Sequence, residues 1–183
     1  MVDQAEIRRN AVSGEVEERR EAVEQLSDNF ADLSDKTQAW KDLIQMTADE
    51  DGGVRAAAAN AIGSVFQYVS DKVQAWNDLH LLAADEGSSV RWCAAYVLDS
   101  AFQHVPEKDV AWGDLHRLTA DENNSVRRRA AGTLGSVFQQ VPDKNEAWDD
   151  LHRLAEDEDG SVRFSAAYAL GIAFQHLPEK DVA

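Results

Sequence analysis

The chain has 183 residues, 44% of them hydrophobic, and a formal net charge of −16 from 34 acidic against 18 basic side chains. That field repels nucleic acid and anionic lipid, and the densest basic run, Arg127-Arg128-Arg129, is short and sits among acids, so no nucleic-acid or membrane partner is expected. There is no run of 18 apolar residues and no secretory signal at the start, and the single cysteine, Cys93, cannot form an internal disulfide; a cytoplasmic setting is expected.

Residues 1–36 read as a charged, eroded version of a unit that recurs along the rest of the chain. Leu26, Phe30 and Leu33 fall where Ile62, Phe66 and Val69 fall 36 residues later, and Arg19 aligns with Arg55, while Gln4 stands where a tryptophan recurs downstream. A polar terminal unit is what a stack of repeats needs as a cap. Four clear units come next, 37–72, 73–108, 109–144 and 145–180. Each carries a W-x-D-L motif (Trp40, Trp76, Trp112, Trp148), a Val-Arg step (Val54-Arg55 and its equivalents) and a Phe-Gln step (Phe66, Phe102, Phe138, Phe174). The last two units share 20 identities in 36 positions, a natural divergence. Residues 181–183, Asp-Val-Ala, copy Asp109-Val110-Ala111 and read as the start of a truncated further repeat, so the array is expected either to be a fragment of a longer one or to end against another molecule.

Each unit predicts two helices. Trp40, Leu43, Met46 and Thr47 mark the buried face of the first, with Lys41, Asp42 and Gln45 expected to lie away from it. Val54, Ala58, Ala59, Ile62, Val65, Phe66 and Val69 form the apolar stripe of the second. Between units, Ser34 and Ser70 read as N-caps, and Pro106, Pro142 and Pro178 stand at the same place, where a proline can open a helix. Neither helix can bury its face alone, so the repeats must stack.

The run Asp159-Gly160-Ser161-Val162-Arg163, followed by Ala166-Ala167 and Ala169-Leu170-Gly171, resembles the D-x-x-V-R-x-x-A-A-x-A-L-G pattern of HEAT-like repeats of the phycobilin-lyase (PBS-lyase) type. Residues 51–63 and 123–135 match nearly as well; in 87–99, Gly87 and Asp99 depart from it. The resemblance implies an all-α, α-α superhelix: a HEAT-like, armadillo-type solenoid of five two-helix repeats in a single domain. It also implies that the second helices line a concave surface. Family functions span scaffolds, lyases, a metal hydroxylase and DNA-repair proteins, so fold does not fix activity.

The recurring loop Asp49-Glu50-Asp51-Gly52-Gly53-Val54-Arg55 has the look of an ion site, but the twelfth position from Asp49 is Asn60 and that from Asp85 is Tyr96, where an EF-hand needs glutamate. Asp51, Gly87, Asn123 and Asp159 are all accepted N-caps, so the loop predicts a helix start. What recurs unchanged is the acid pair and the arginine. The resemblance implies that Asp49, Asp85, Asp121 and Asp157 form a ladder with Arg55, Arg91, Arg127 and Arg163 between repeats, with Arg91 meeting Asp49 or Asp121.

No constellation predicts catalysis. His80, His116 and His152 share one repeat position, too far apart to hold one ion, and no His-Glu pair of the hydroxylase kind occurs. Cys93 reads as a packed thiol. No enzyme activity, metal or cofactor is expected. The variable positions opposite the apolar stripe of the second helix are more informative: Trp92, Tyr96, Asp99 and Gln103; Arg128, with Gly132, Gly135 and Gln139; Phe164, Tyr168, Gly171 and Gln175. Exposed aromatics and arginine suit a binding surface. The expected function is a protein-interaction scaffold for a protein or peptide, with the charge favouring a basic one. The alternatives are a phycobilin-lyase-like enzyme or accessory subunit, which visible absorbance would reveal, and a structural module that self-associates through Leu170, Phe174 and Leu177 of the C-terminal repeat.

Overall fold

The structure is a computed structural model, described over residues 3–69, 71–105 and 107–176, with the side chain of Asp78 left aside. Ser70, Pro106, Pro178, Leu177 and the 181–183 motif lie outside the described residues. The fold is all-helical, with ten α-helices and no strand among the described residues. They are α1 (Gln4–Asn10), α2 (Val16–Asn29), α3 (Lys36–Met46), α4 (Gly52–Val65), α5 (Lys72–Leu79), α6 (Ser88–Ala101), α7 (Lys108–Thr119), α8 (Asn124–Val137), α9 (Lys144–Ala155) and α10 (Gly160–Phe174). Odd and even helices are the first and second members of five pairs. No described helix is long and apolar enough to cross a membrane.

The chain divides into two compact units, one ending at Val97 and the other starting at Leu98, inside α6. In the first unit α1 packs on α2, α2 on α4, and α3 on α4. Leu26, Phe30, Leu43, Ile62 and Phe66 are fully buried there. In the second unit α7 packs on α8, and α10 on both α8 and α9, around Leu115, Leu118, Leu134, Phe138 and Leu151. Stacking like with like follows from the sequence: the alanine-rich stripe of each second helix is narrow enough for its neighbour to approach closely.

Glycine sets the closest approach. A Cβ on Gly63 would lie 2.7 Å from Val97 Cγ2, and one on Gly135 would lie 2.7 Å from Ala169 Cβ and 2.9 Å from Ala169 Cα. Gly63 and Gly135 therefore lie in the contact between second helices, not on the outward face that the helical wheel assigns to them, whereas Asp99 is exposed and Gly171 has open space. A wheel places residues by angle alone; the crossing of two helices extends contact beyond the apolar stripe.

The first helices differ from expectation at their starts. Asp35, not Ser34, caps α3, accepting from Gln38 N–H at 2.9 Å, while Ser34 turns its hydroxyl to Gln4. Asp71 and Asp143 cap α5 and α9 in the same way. Pro142 lies two residues before α9 rather than at its first position. A carboxylate accepts strongly from N–H groups and also meets the positive end of the helix, so the adjacent aspartate takes the cap.

Candidate functional site

The acidic loop is a joint with two sides. Within its own repeat, one aspartate oxygen closes a tight turn: Asp49 Oδ1 accepts from Asp51 N–H (2.8 Å), Asp85 from Gly87 (2.7 Å), Asp121 from Asn123 (2.9 Å) and Asp157 from Asp159 (2.9 Å). Two residues on, Asp51, Asn123 and Asp159 cap the second helix by accepting from the N–H of Val54, Val126 and Val162. Gly87 stands at that place before α6 without a side chain, so the turn made by Asp85 sets the loop even where the cap is lost.

The arginine ties the same loop together from the far side. Nη1 of Arg55 donates to the carbonyls of Asp49 and Glu50 at 2.9 and 3.2 Å. Arg91, Arg127 and Arg163 repeat this on their own loops, at 2.8–3.0 Å. The other edge of the guanidinium reaches the following repeat. Arg19 Nε lies 2.7 Å from Asp49 Oδ2, Arg127 Nε lies 2.7 Å from Asp157 Oδ2, and Arg55 Nε lies 3.2 Å from Asp85 Oδ2. The direction is fixed: the arginine of one repeat meets the aspartate of the next. Asp49 is held by Arg19 of the repeat before it. The neighbouring glutamates, Glu50, Glu86 and Glu158, approach the same arginines at 3.4, 3.2 and 3.7 Å but are solvent-exposed, where such contacts contribute little.

The electrostatics follow the geometry. The bond from Arg127 holds the Asp157 carboxyl below the usual range. Burial would push Asp49 up, but Arg19 and the Asp51 N–H outweigh it, and its pKa is lowered. Asp159 is brought down to about 2 by the Ser161 hydroxyl and N–H and by the Asn124 amide. Among the described residues no group of three His, Cys, Asp or Glu side chains is arranged to hold a metal.

A second row joins first helices. The aspartate of W-x-D-L is buried, against the expectation that Asp42 faces away from the core: Asp42 is 8% exposed, Asp114 5% and Asp150 5%. Each has a partner: the preceding repeat supplies one to Asp42 and Asp150, and Arg117 on the same helix lies 2.9 Å from Asp114. His116 Nδ1 donates to Asp150 Oδ2 at 2.6 Å, and Arg153 adds a bond at 2.8 Å. Arg8, at the same repeat position as His116, lies 3.2 Å from Asp42. Trp112 Nε1 donates to Glu146 at 2.9 Å. The histidine position is thus part of the packing between repeats. Cys93 is buried, with its Sγ 3.5 Å from the Ala56 carbonyl.

The outward face of the second helices carries the candidate binding residues, and each unit holds part of it. In the first unit, Trp92 stacks on Tyr96 along α6, with ring centroids 5.9 Å apart and planes at 10°, and Tyr96 stays exposed. In the second, Phe164 and Tyr168 stand out from α10, 75% and 68% exposed. Arg128 is exposed on the adjoining α8, where Gly132 leaves open space: nothing lies within 4 Å of the place a Cβ would take. Gln103, Gln139 and Gln175 are all exposed, and Gln139 contacts His176 at 2.5 Å. Asp99 occupies the crossing position of Gly63 and Gly135. Asp99 is exposed by surface area, yet its neighbours desolvate its carboxyl enough to push it above the ordinary range, against the pull of Ser136 and Arg129.

Paired helices, a small-residue seam and a repeating Asp–Arg joint define a stacked helical-repeat protein. Residues 115–181 match the family model for HEAT repeats. No curated protein matches the chain. Among solved structures, an engineered protein is similar with a TM-score of 0.70 at 20% identity, over 92% of this chain and 80% of that one. A designed armadillo repeat protein in complex with the peptide (KR)4 is similar with a TM-score of 0.67 at 17% identity, over 91% and 80%. The complex of CpcE and CpcF of phycocyanin lyase from Nostoc sp. PCC7120 is similar with a TM-score of 0.71 at 18% identity, over 96% and 66%. The chain has the HEAT/armadillo-type repeat fold.

Proposed function

We propose that the chain is a non-catalytic interaction module that grips a protein or peptide on the outward faces of its second helices. The observation that carries this reading is the exposure of Phe164 and Tyr168, two rigid aromatics one turn apart on α10, with Arg128 exposed on the helix it packs against, α8. Aromatic and arginine side chains are the usual anchors of interfaces, and leaving two rings in water is otherwise unfavourable. The net charge of −16 favours a basic partner, and a designed protein of the same fold holds the peptide (KR)4. Isothermal titration with (KR)4 and with an acidic peptide (DE)4 tests this. The basic peptide is expected to bind more tightly, and Phe164→Ala with Tyr168→Ala to weaken it by at least about 30-fold, the loss of a ~2 kcal/mol anchor, with no change in melting. Equal binding of both peptides, or an indifferent double variant, would remove the reading.

A second reading, self-association, has its own observation. Phe174 is 70% exposed, whereas Phe30, Phe66, Phe102 and Phe138 at the same repeat position are buried. The Nε–Nη2 edge of Arg163 meets no carboxylate among the described residues, although that edge of Arg19, Arg55 and Arg127 does. This side of α10 suits another repeat. Light scattering across concentration is expected to show a dimer that Phe174→Ser dissociates; a constant monomer mass would remove this second reading.

A further inference from the structure

The first unit contains a cavity of about 510 Å³ between the first turns of α3 and α5, walled by Trp40, Ile44, Tyr68 and Val69, with Lys36 and Lys41 in its lining. Neither Trp92 nor Tyr96 is among the residues that line it. Its existence follows from two departures from the repeat.

The first is Ile44. The same repeat position holds His80, His116 and His152. In the second unit His116 stands at this position, 5.6 Å from the Trp112 ring and bonded to Asp150. Isoleucine is shorter and forms no such bridge, so the space beside Trp40 stays open. The second departure is Tyr68. Lys72 and Lys108 fold back onto the preceding turn: each Nζ donates to the carbonyl of Phe66 or Phe102 and sits 4.7 or 4.9 Å from that ring's centroid. Burial lowers the pKa of both. Lys36 holds the same repeat position, but Tyr68 stacks on Phe30, with centroids 6.5 Å apart, and Lys36 is exposed. Its charge is left for the cavity.

The lining therefore holds two ammonium groups against one carboxylate, Asp71, which is already bonded to Gln74 N–H at 3.0 Å. In a chain of net charge −16 this concavity is locally positive. Its volume is in the range of small-molecule sites, and its walls are largely apolar, with an indole and a phenol ring among them. We propose that this cavity binds a small aromatic carboxylate, its ring against Trp40, Ile44 and Tyr68 and its carboxylate toward Lys36 and Lys41.

Naphthalene-2-carboxylate and its neutral carboxamide are the probes, titrated by calorimetry and by the shift of the Trp40 indole N–H in NMR. The carboxylate is expected to saturate with a Kd on the order of 0.1 mM, a fair affinity for so few atoms, and the carboxamide to bind at least about 5-fold more weakly. Lys36→Ala with Lys41→Ala, both exposed and thus tolerant of change, should reduce carboxylate binding to the level of the carboxamide. Ile44→His, a residue that this repeat position holds in three other units, should abolish both. Phe164→Ala with Tyr168→Ala should leave both unchanged. No saturation by 5 mM, equal affinity for the two probes, or undiminished carboxylate binding by the lysine double variant overturns the proposal.

Discussion

Arg127→Ala is expected to destabilise the protein by about 3 kcal/mol and lower its melting temperature by about 6–12 °C while leaving it helical. The substitution removes two bonds to the Asp121 and Glu122 carbonyls and a two-pronged bond to Asp157, and leaves that largely buried carboxylate without its partner. Truncating one member of a buried pair costs far more than the pair itself contributes, because the remaining charge stays desolvated. Arg163→Ala is the internal control. It removes only the two carbonyl bonds from an exposed side chain, and about 1 kcal/mol is expected. The difference also depends on pH. The Asp157 pKa is depressed in the folded state, so its contribution is present above about pH 4 and is lost as pH falls through the folded value. The gap between wild type and Arg127→Ala should therefore narrow in acid. Circular dichroism melts at pH 7 and pH 3 measure both effects; equal melting of Arg127→Ala and wild type at pH 7 would show that the joint contributes no stability.

Gly135→Ala should destabilise by about 1–2 kcal/mol, although alanine is the better helix former. Alanine gains up to about 1 kcal/mol over glycine inside a helix, but its methyl would meet Ala169 Cβ at 2.7 Å and Cα at 2.9 Å. The backbone atom cannot turn aside, so α8 and α10 must separate, and overpacking of this kind costs about 1–3 kcal/mol. Gly132→Ala, one turn earlier on the same helix, meets nothing within 4 Å and should stabilise by up to about 1 kcal/mol. Two identical substitutions three residues apart thus have opposite signs. If both raise the melting temperature in differential scanning calorimetry, the close crossing of α8 and α10 is not a constraint.

Much of the fold was legible in the sequence, and the features that were not have physical causes. The 36-residue period, the helix pairs and the capping role of Asp51, Asn123 and Asp159 follow from residue type and spacing. The burial of Asp42, Asp114 and Asp150 does not, because an aspartate next to a core leucine reads as solvent-facing until its partners, such as Arg8 for Asp42 and His116 for Asp150, are placed. The hold of Arg55 and its equivalents on their own loop carbonyls left no mark either, since backbone acceptors are invisible in sequence. Gly63 and Gly135 read as outward by helical angle, and only the crossing of two helices turns them inward. For the candidate surface, the exposed aromatics Tyr96, Phe164 and Tyr168 were marked by their variation among repeats. The cavity beside Trp40 was missed, though its signal was present: an isoleucine at a position that three later repeats fill with histidine.

The divided use of one carboxylate has a consequence for how the protein folds. Asp157 spends one oxygen on its own turn and shares both with Arg127 of the repeat before, while Arg127 in turn secures the carbonyls of its own loop. Neither loop is fully satisfied until its neighbour is in place. Each repeat therefore acts as a template for the next, and the free energy of adding a unit resides as much in the boundary as in the unit itself. Such a chain unfolds by nearest-neighbour cooperativity, and the arginine sets how far the disorder of one repeat spreads to the one beside it.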